Sequence, residues 1–130
     1  MIFSFLKRFK KPVYIRLGIS KRDKEKVIKK WKEIEELVSL GSPSRYKTAI
    51  IEADKLVDFI LTTYGYKGKN LGEKIKSIPR NKYPKEFFTN LWKGHLLRNK
   101  IVHDLNYEIH SSEAKDIIKR FKKVIDRLIK

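Results

Sequence analysis

Apolar residues recur along this chain at helical spacing, in segments separated by glycine and proline. Ser20 followed by Asp23 predicts the start of a first helix, and Gly41 predicts its end. Ser42 and Pro43 predict the start of a second helix, because proline suits the first helical position. Within both segments the apolar positions lie three and four residues apart, as expected for helices that bury one face.

Two more helices follow in the middle of the chain. Asn70 and Glu73 form a capping pattern that opens a short helix, which stops before Pro79. Pro84 opens a long helix that runs to about Asp104.

The two ends of the chain complete the predicted fold. Ser111 or Ser112, with Glu113 behind it, predicts the N-cap of a last amphipathic helix. Residues 12–19 alternate as in a strand, but a lone strand has no pairing partner, so we expect extended chain lying on the bundle. The sequence therefore predicts one all-α domain over residues 20–130, an up-and-down helical bundle of four main helices plus one short helix, preceded by a short extended basic segment over residues 1–19.

The helix 84–104 carries polar residues on its apolar side. That side is predicted to comprise Phe87, Phe88, Leu91, Trp92, Val102 and Leu105. The opposite side is predicted to face solvent and comprises Thr89, Asn90, Lys93, Lys100 and Asp104. His95, Arg98 and Asn99 project within the apolar side, and His103 lies at its edge. Burying these groups without partners would cost several kcal/mol. The placement requires either a polar network inside the core or a cleft lined by this side, and we favour a functional site; the alternative is a half-buried face at an oligomer interface.

These residue types favour phosphodiester chemistry. His103 can transfer protons near neutral pH, Arg98 has a fork that matches phosphate, and Asn99 can orient either group. Since no Asp/Glu cluster suited to metal ions is evident, we expect a mechanism without metal or cofactor. Cleavage of RNA through its own 2′-hydroxyl is a reaction that needs neither.

Two further residues are predicted to support this site. Asp54 lies at the edge of the apolar side of the second helix, where it could pair with Arg98 or orient His103; the alternative is that it balances a nearby Lys or Arg. His95 lies one turn before Arg98 and is predicted to be a neighbour of the site, with core packing as the alternative. Gly72 is predicted to make a turn.

The charge of the chain favours a polyanionic partner. Its 32 Lys and Arg residues outnumber 15 Asp and Glu residues, giving a formal net charge of +17. On the solvent side of the last helix, the predicted RNA-binding residues are Lys115, Lys119, Lys122 and Lys123. A plain solvated face is the alternative interpretation of such a charge run.

The first residues predict contact with a membrane surface but no membrane span. Residues 1–11 mix Ile, Phe and Leu with Lys and Arg, a composition that favours peripheral contact. No apolar run approaches the roughly 20 residues of a spanning helix, and no secretory cleavage site follows. We therefore expect a cytoplasmic protein that can associate with membranes through residues 1–11.

The segment from Arg98 to His103, RNKIVH, resembles the R-x4–6-H motif of the HEPN superfamily. Its place late in the penultimate long helix also fits that family. The stretches Ala49–Asp58, Gly65–Lys76 and Leu91–Asp104 are similar to small bacterial HEPN-like proteins. By eye, the resemblance covers roughly residues 25–130.

The resemblance implies both an activity and partners. In ribonuclease members of the family, the Arg and His act in metal-independent RNA cleavage, and two copies face each other across a dimer cleft. It thus implies an endoribonuclease that forms a homodimer and acts in a toxin–antitoxin or defence system, with a nucleotidyltransferase-like antitoxin as partner. Because many HEPN domains are inactive, the alternative is a non-catalytic module that binds RNA or a partner protein. A helix-turn-helix DNA-binding protein is disfavoured, since the helix at 71–79 is short and bounded by proline.

Overall fold

The computed structural model describes residues 18–130, and over that range the chain is all-helical. Five α-helices and no strand are present among these residues: α1 (Lys21–Leu40), α2 (Pro43–Thr63), α3 (Leu71–Ser77), α4 (Lys85–His103) and α5 (Ser111–Leu128). The predicted all-α class and the five predicted helices are confirmed. The predicted membrane contact of residues 1–11 and most of the extended stretch 12–19 lie outside the described residues.

Local capping explains where the first helices begin and end. The Ser20 hydroxyl accepts a hydrogen bond from the backbone N–H of Asp23 at 3.1 Å, and the Ser42 hydroxyl accepts one from Arg45 at 3.3 Å. Gly41 ends α1 with φ of 68°, a left-handed conformation that disfavours residues with a side chain. The chain can therefore turn into α2 immediately.

The start of α5 differs from the prediction of a serine cap. Its N-cap is His110, which makes no capping side-chain bond, and Ser111 is already helical. The Glu113 carboxylate does not close a capping box either. It accepts hydrogen bonds from the Tyr107 hydroxyl at 2.7 and 2.8 Å, which hold the loop before α5 against the helix. The predicted cap is therefore wrong, although the helix itself is present.

Helix α2 lies at the centre of the bundle, where it packs against α1, α3, α4 and α5. A second close pair is α4 and α5. A Cβ atom added at Gly94 of α4 would lie 2.6 Å from the Phe121 ring of α5, so this glycine allows the two helices to approach. No helix among the described residues is both long and apolar enough to cross a membrane.

The buried side of α4 differs from the predicted one. Asn90, expected in solvent, is only 5% exposed and accepts a hydrogen bond at 2.8 Å from Arg120 of α5. Val102 and Leu105, expected in the core, are 36% and 87% exposed. The reason is that α4 ends at His103 and contacts both α2 and α5, so its buried surface is wider than the side derived from one apolar arc.

Candidate functional site

A cleft of about 670 Å³ lies between α2, α3 and α4. All five residues that the sequence singled out for the site or its support line this cleft: Asp54, His95, Arg98, Asn99 and His103. Asp54 comes from the middle of α2, and the other four come from the second half of α4. The packing of α4 against α2 therefore brings together residues about 40 positions apart.

A buried carboxylate is the innermost group of the cleft. Asp54 is 4% exposed, and its Oδ1 lies 2.9 Å from Nδ1 of His95, which is 7% exposed. Since an ionised carboxylate can only accept, His95 carries the proton of this bond on Nδ1. Its Nε2 then accepts from the Asn99 amide, 3.5 Å away. Asp54 thus fixes the imidazole of His95, and His95 contributes to the orientation of Asn99.

Arg98 lies next to this hydrogen-bond network and uses only part of its own hydrogen-bonding capacity. Its Nη1 donates to Oδ1 of Asn99 at 3.0 Å. Its Nε lies 3.5 Å from Oδ2 of Asp54, close enough for ionic attraction, yet this buried N–H is not directed at the carboxylate and has no hydrogen-bond partner among the described residues. Its Nη2 makes no hydrogen bond to a described residue, and the side chain is 31% exposed, so Arg98 retains a donor for a ligand in the cleft.

His103 is the outermost of the five residues. It is the last residue of α4, and its side chain is exposed at the edge of the cleft. No hydrogen bond among the described residues holds its imidazole, in contrast to that of His95. A histidine in this position can exchange protons with solvent and with a ligand that enters the cleft.

The short helix α3 forms a wall of the cleft that the sequence analysis missed. Asn70 and Lys76 line the cleft, together with Gly72, which lies within α3 and so does not make the predicted turn. A Cβ atom added at Gly72 would be 3.6 Å from Nε2 of His95, which shows how closely this helix covers the imidazole. No periodic signal identifies such a wall, because α3 is only seven residues long.

The four lysines predicted to bind RNA lie elsewhere. Lys115, Lys119, Lys122 and Lys123 are exposed on α5, as expected, but no residue of α5 lines the cleft. The lysines that do line it are Lys55 and Lys76. An RNA strand that reached both regions would have to extend beyond the cleft.

Within residues 18–130, no group of three or more His, Asp or Glu side chains is arranged to hold a metal ion. Comparisons of the chain with models of known protein families, with curated proteins and with solved structures find no match.

Proposed function

We propose that this chain is a metal-independent endoribonuclease of HEPN type that acts in a toxin–antitoxin or defence system. The observation that carries the proposal is that Arg98, Asn99 and His103 line one cleft, and that Nη2 of Arg98 makes no hydrogen bond to a described residue. A fork-shaped cation beside an exposed histidine is suited to a phosphodiester. The net charge of +17 supports a polyanionic substrate.

The proposed reaction is an internal transfer of the phosphate. The RNA 2′-oxygen attacks phosphorus and loses its proton, the bond to the 5′-oxygen breaks, and that oxygen takes up a proton. The products are a 2′,3′-cyclic phosphate and a 5′-hydroxyl end. His103 serves as the acid or base at one of these two oxygens, while Arg98 neutralises the charge that builds on the phosphoryl oxygens. Asn99 positions the Arg98 guanidinium, to which it is hydrogen-bonded.

The proposal includes a homodimer. Val102 and Leu105, beside His103, expose 36% and 87% of their surface, which supports pairing of two chains near this end of α4. Light scattering of Leu105→Lys should report a smaller mass than the unchanged chain; a strict monomer in both would refute the dimer. The nucleotidyltransferase-like antitoxin that the resemblance implies is tested by co-purification with the product of a neighbouring gene.

The proposal is tested by incubating a mixed RNA pool with the protein in EDTA and identifying the new ends. We expect cleavage that leaves 2′,3′-cyclic phosphates, and a loss of about 10²–10⁴ in rate for His103→Ala, the contribution of a positioned acid or base. His110→Ala is the matched control, because His110 is also exposed but does not line the cleft. Activity that EDTA abolishes and magnesium restores would contradict the mechanism.

A second candidate function is a non-catalytic module that binds RNA or a partner protein through the same cleft. Two observations favour it: the Asp54 carboxylate, 3.5 Å from Arg98, already offsets part of its charge, and no described residue orients His103. This alternative predicts that RNA is retained by the protein without new ends, and that Arg98→Ala weakens retention.

A further inference from the structure

A second, more apolar cavity of about 450 Å³ adjoins the cleft on the outer side of α4. We call it the side groove. Trp92 and Leu96 line both the cleft and the side groove, so the two cavities are neighbours on either side of these residues. Leu96 is 58% exposed and Trp92 is half-buried, so the groove presents a large apolar surface to solvent.

Cations surround this apolar surface. Arg80, Lys85 and Lys93 line the side groove, and none of the described residues that line it is acidic. None of these three cations makes an ion pair with another described residue. Most basic residues in the described part of the chain are likewise unpaired, so the distinguishing feature of the groove is that three cations and no carboxylate line one apolar surface, which favours an anionic ligand.

Aromatic residues next to the side groove pack against one another and against Arg80. The Arg80 guanidinium lies 5.3 Å from the centre of the Phe88 ring, a cation–π contact that fixes this cation beside the groove. Phe88 packs edge-on against Phe87, whose ring stacks on Tyr83. These contacts position Arg80 and Phe88, both of which line the side groove together with Trp92.

We propose that the side groove binds an unpaired nucleotide of a single-stranded RNA, next to the phosphate held in the cleft. The base lies against Trp92 and Leu96, and the flanking phosphates contact Lys85 and Lys93. Because a base in a duplex is stacked on its neighbours, this groove selects single-stranded RNA. The choice of RNA rests on the proposed function, whereas binding in the groove does not require cleavage.

The test uses a labelled, 2′-O-methylated oligouridylate, which cannot react through its 2′-oxygen. In a Trp31→Phe background, Trp92 is the remaining tryptophan and reports on the groove. Trp31→Phe breaks no hydrogen bond to a described residue, because the buried Nε1 of Trp31 has no partner among them, and circular dichroism checks that the variant is folded. We expect the oligonucleotide to quench the Trp92 emission saturably, and a duplex of the same length not to do so. Unchanged emission on binding would overturn the proposal.

Variants read by anisotropy of the labelled strand separate the groove from general charge attraction. Trp92→Ala should weaken binding about 5- to 150-fold, which corresponds to about 1–3 kcal/mol for one stacked base. Lys85→Glu/Lys93→Glu, at two exposed positions, should weaken binding. The plot of log affinity against log salt concentration should also become less steep, by about 0.7 for each lost phosphate contact. The matched control is Lys24→Glu/Lys32→Glu on α1, also exposed. Equal slopes for the two double variants would overturn the proposal.

The outcomes for the groove and for the nuclease are distinguishable. Binding in the groove without cleavage of the unmodified strand by any variant refutes the nuclease and leaves the groove intact. Cleavage that is unaffected by Trp92→Ala and by the groove lysines refutes the groove alone. Trp92 emission that depends on protein concentration rather than on RNA would show that a second copy of the chain covers the groove, and would overturn the proposal.

Discussion

Two polar clusters lie on different sides of α4, and each contains an arginine of similar exposure. Arg120 of α5, 26% exposed, donates to Asn90 at 2.8 Å and to Asp116 at 2.9 Å. Arg98 of α4, 31% exposed, makes one hydrogen bond, at 3.0 Å to Asn99, and its Nε has no partner among the described residues. The first arginine joins α4 to α5 with well-made bonds. The second retains donors next to an open cleft, which is the arrangement expected of a ligand-binding arginine.

The largest expected effect on stability tests whether the Arg98 cluster also supports the fold. Asp54→Ala removes the buried carboxylate that accepts from His95 and lies 3.5 Å from Arg98, so we expect the free energy of unfolding to fall by about 1.5–3 kcal/mol in urea denaturation. Asp126→Ala on α5 is the control. Asp126 and its partner Lys122 are 59% and 48% exposed, so its loss should cost about 0–1 kcal/mol. Similar losses for both variants would mean that the cluster contributes no more than a surface ion pair.

Alanine substitutions at Gly94 and Gly72 compare how closely α4 packs against α5 with how closely α3 packs at the cleft. Gly94→Ala places a Cβ 2.6 Å from the Phe121 ring, so melting should show a loss of about 1–3 kcal/mol even though alanine favours helices. Gly72→Ala places a Cβ 3.4 Å from Oδ1 of Asn70, an ordinary contact, so stability should stay equal or rise by up to about 1 kcal/mol. A stabilising Gly94→Ala would show that α4 and α5 are not closely packed.

The smallest effect concerns the loop that follows His103. The hydrogen bond to Glu113, with a smaller contribution from burial, raises the pKa of Tyr107 from 10.0 to about 12. Since the folded-state pKa is the higher one, the stability from this bond is present below pH 10.0 and is lost as the pH rises through about 12. Tyr107→Phe should remove one late-ionising phenol from an absorbance titration and leave stability at alkaline pH less dependent on pH. Tyr107 ionising near pH 10.0 would contradict this hydrogen bond.

The boundaries of α1 could be predicted because their causes are local, whereas the predicted serine cap of α5 is wrong. The hydroxyl of Ser20 and the left-handed Gly41 act within a few residues of the chain, so the sequence alone predicts them. It was harder to predict which side of α4 is buried. Asn90 is buried because α5 supplies Arg120, and Leu105 is exposed because the helix ends before it. Both facts depend on how helices far apart in sequence pack.

The residues of the cleft could be predicted only in part. Polar residues inside an apolar helical side identified Arg98, Asn99 and His95 without reference to any neighbour. The hydrogen-bond partner of the Asp54 carboxylate could not be predicted from the sequence. The sequence predicts that Asp54 pairs with Arg98 or orients His103; the structure contains the ion pair with Arg98 at 3.5 Å, but the hydrogen bond of Asp54 goes to His95 and not to His103. Such a choice among close cations and imidazoles depends on side-chain geometry that no sequence spacing encodes.

The contrast between the two arginines is tested most directly by the RNA cleavage rates of Arg98→Ala and Arg120→Ala. Both variants are compared in EDTA, at a temperature where each remains folded by circular dichroism. If Arg98 stabilises charge in the transition state, its loss should lower the rate by about 10²–10³, the effect of removing one preorganised donor. Arg120→Ala should retain the rate of the unchanged chain. Equal losses in the two variants, or full activity of Arg98→Ala, would contradict the assignment of Arg98 to the reaction.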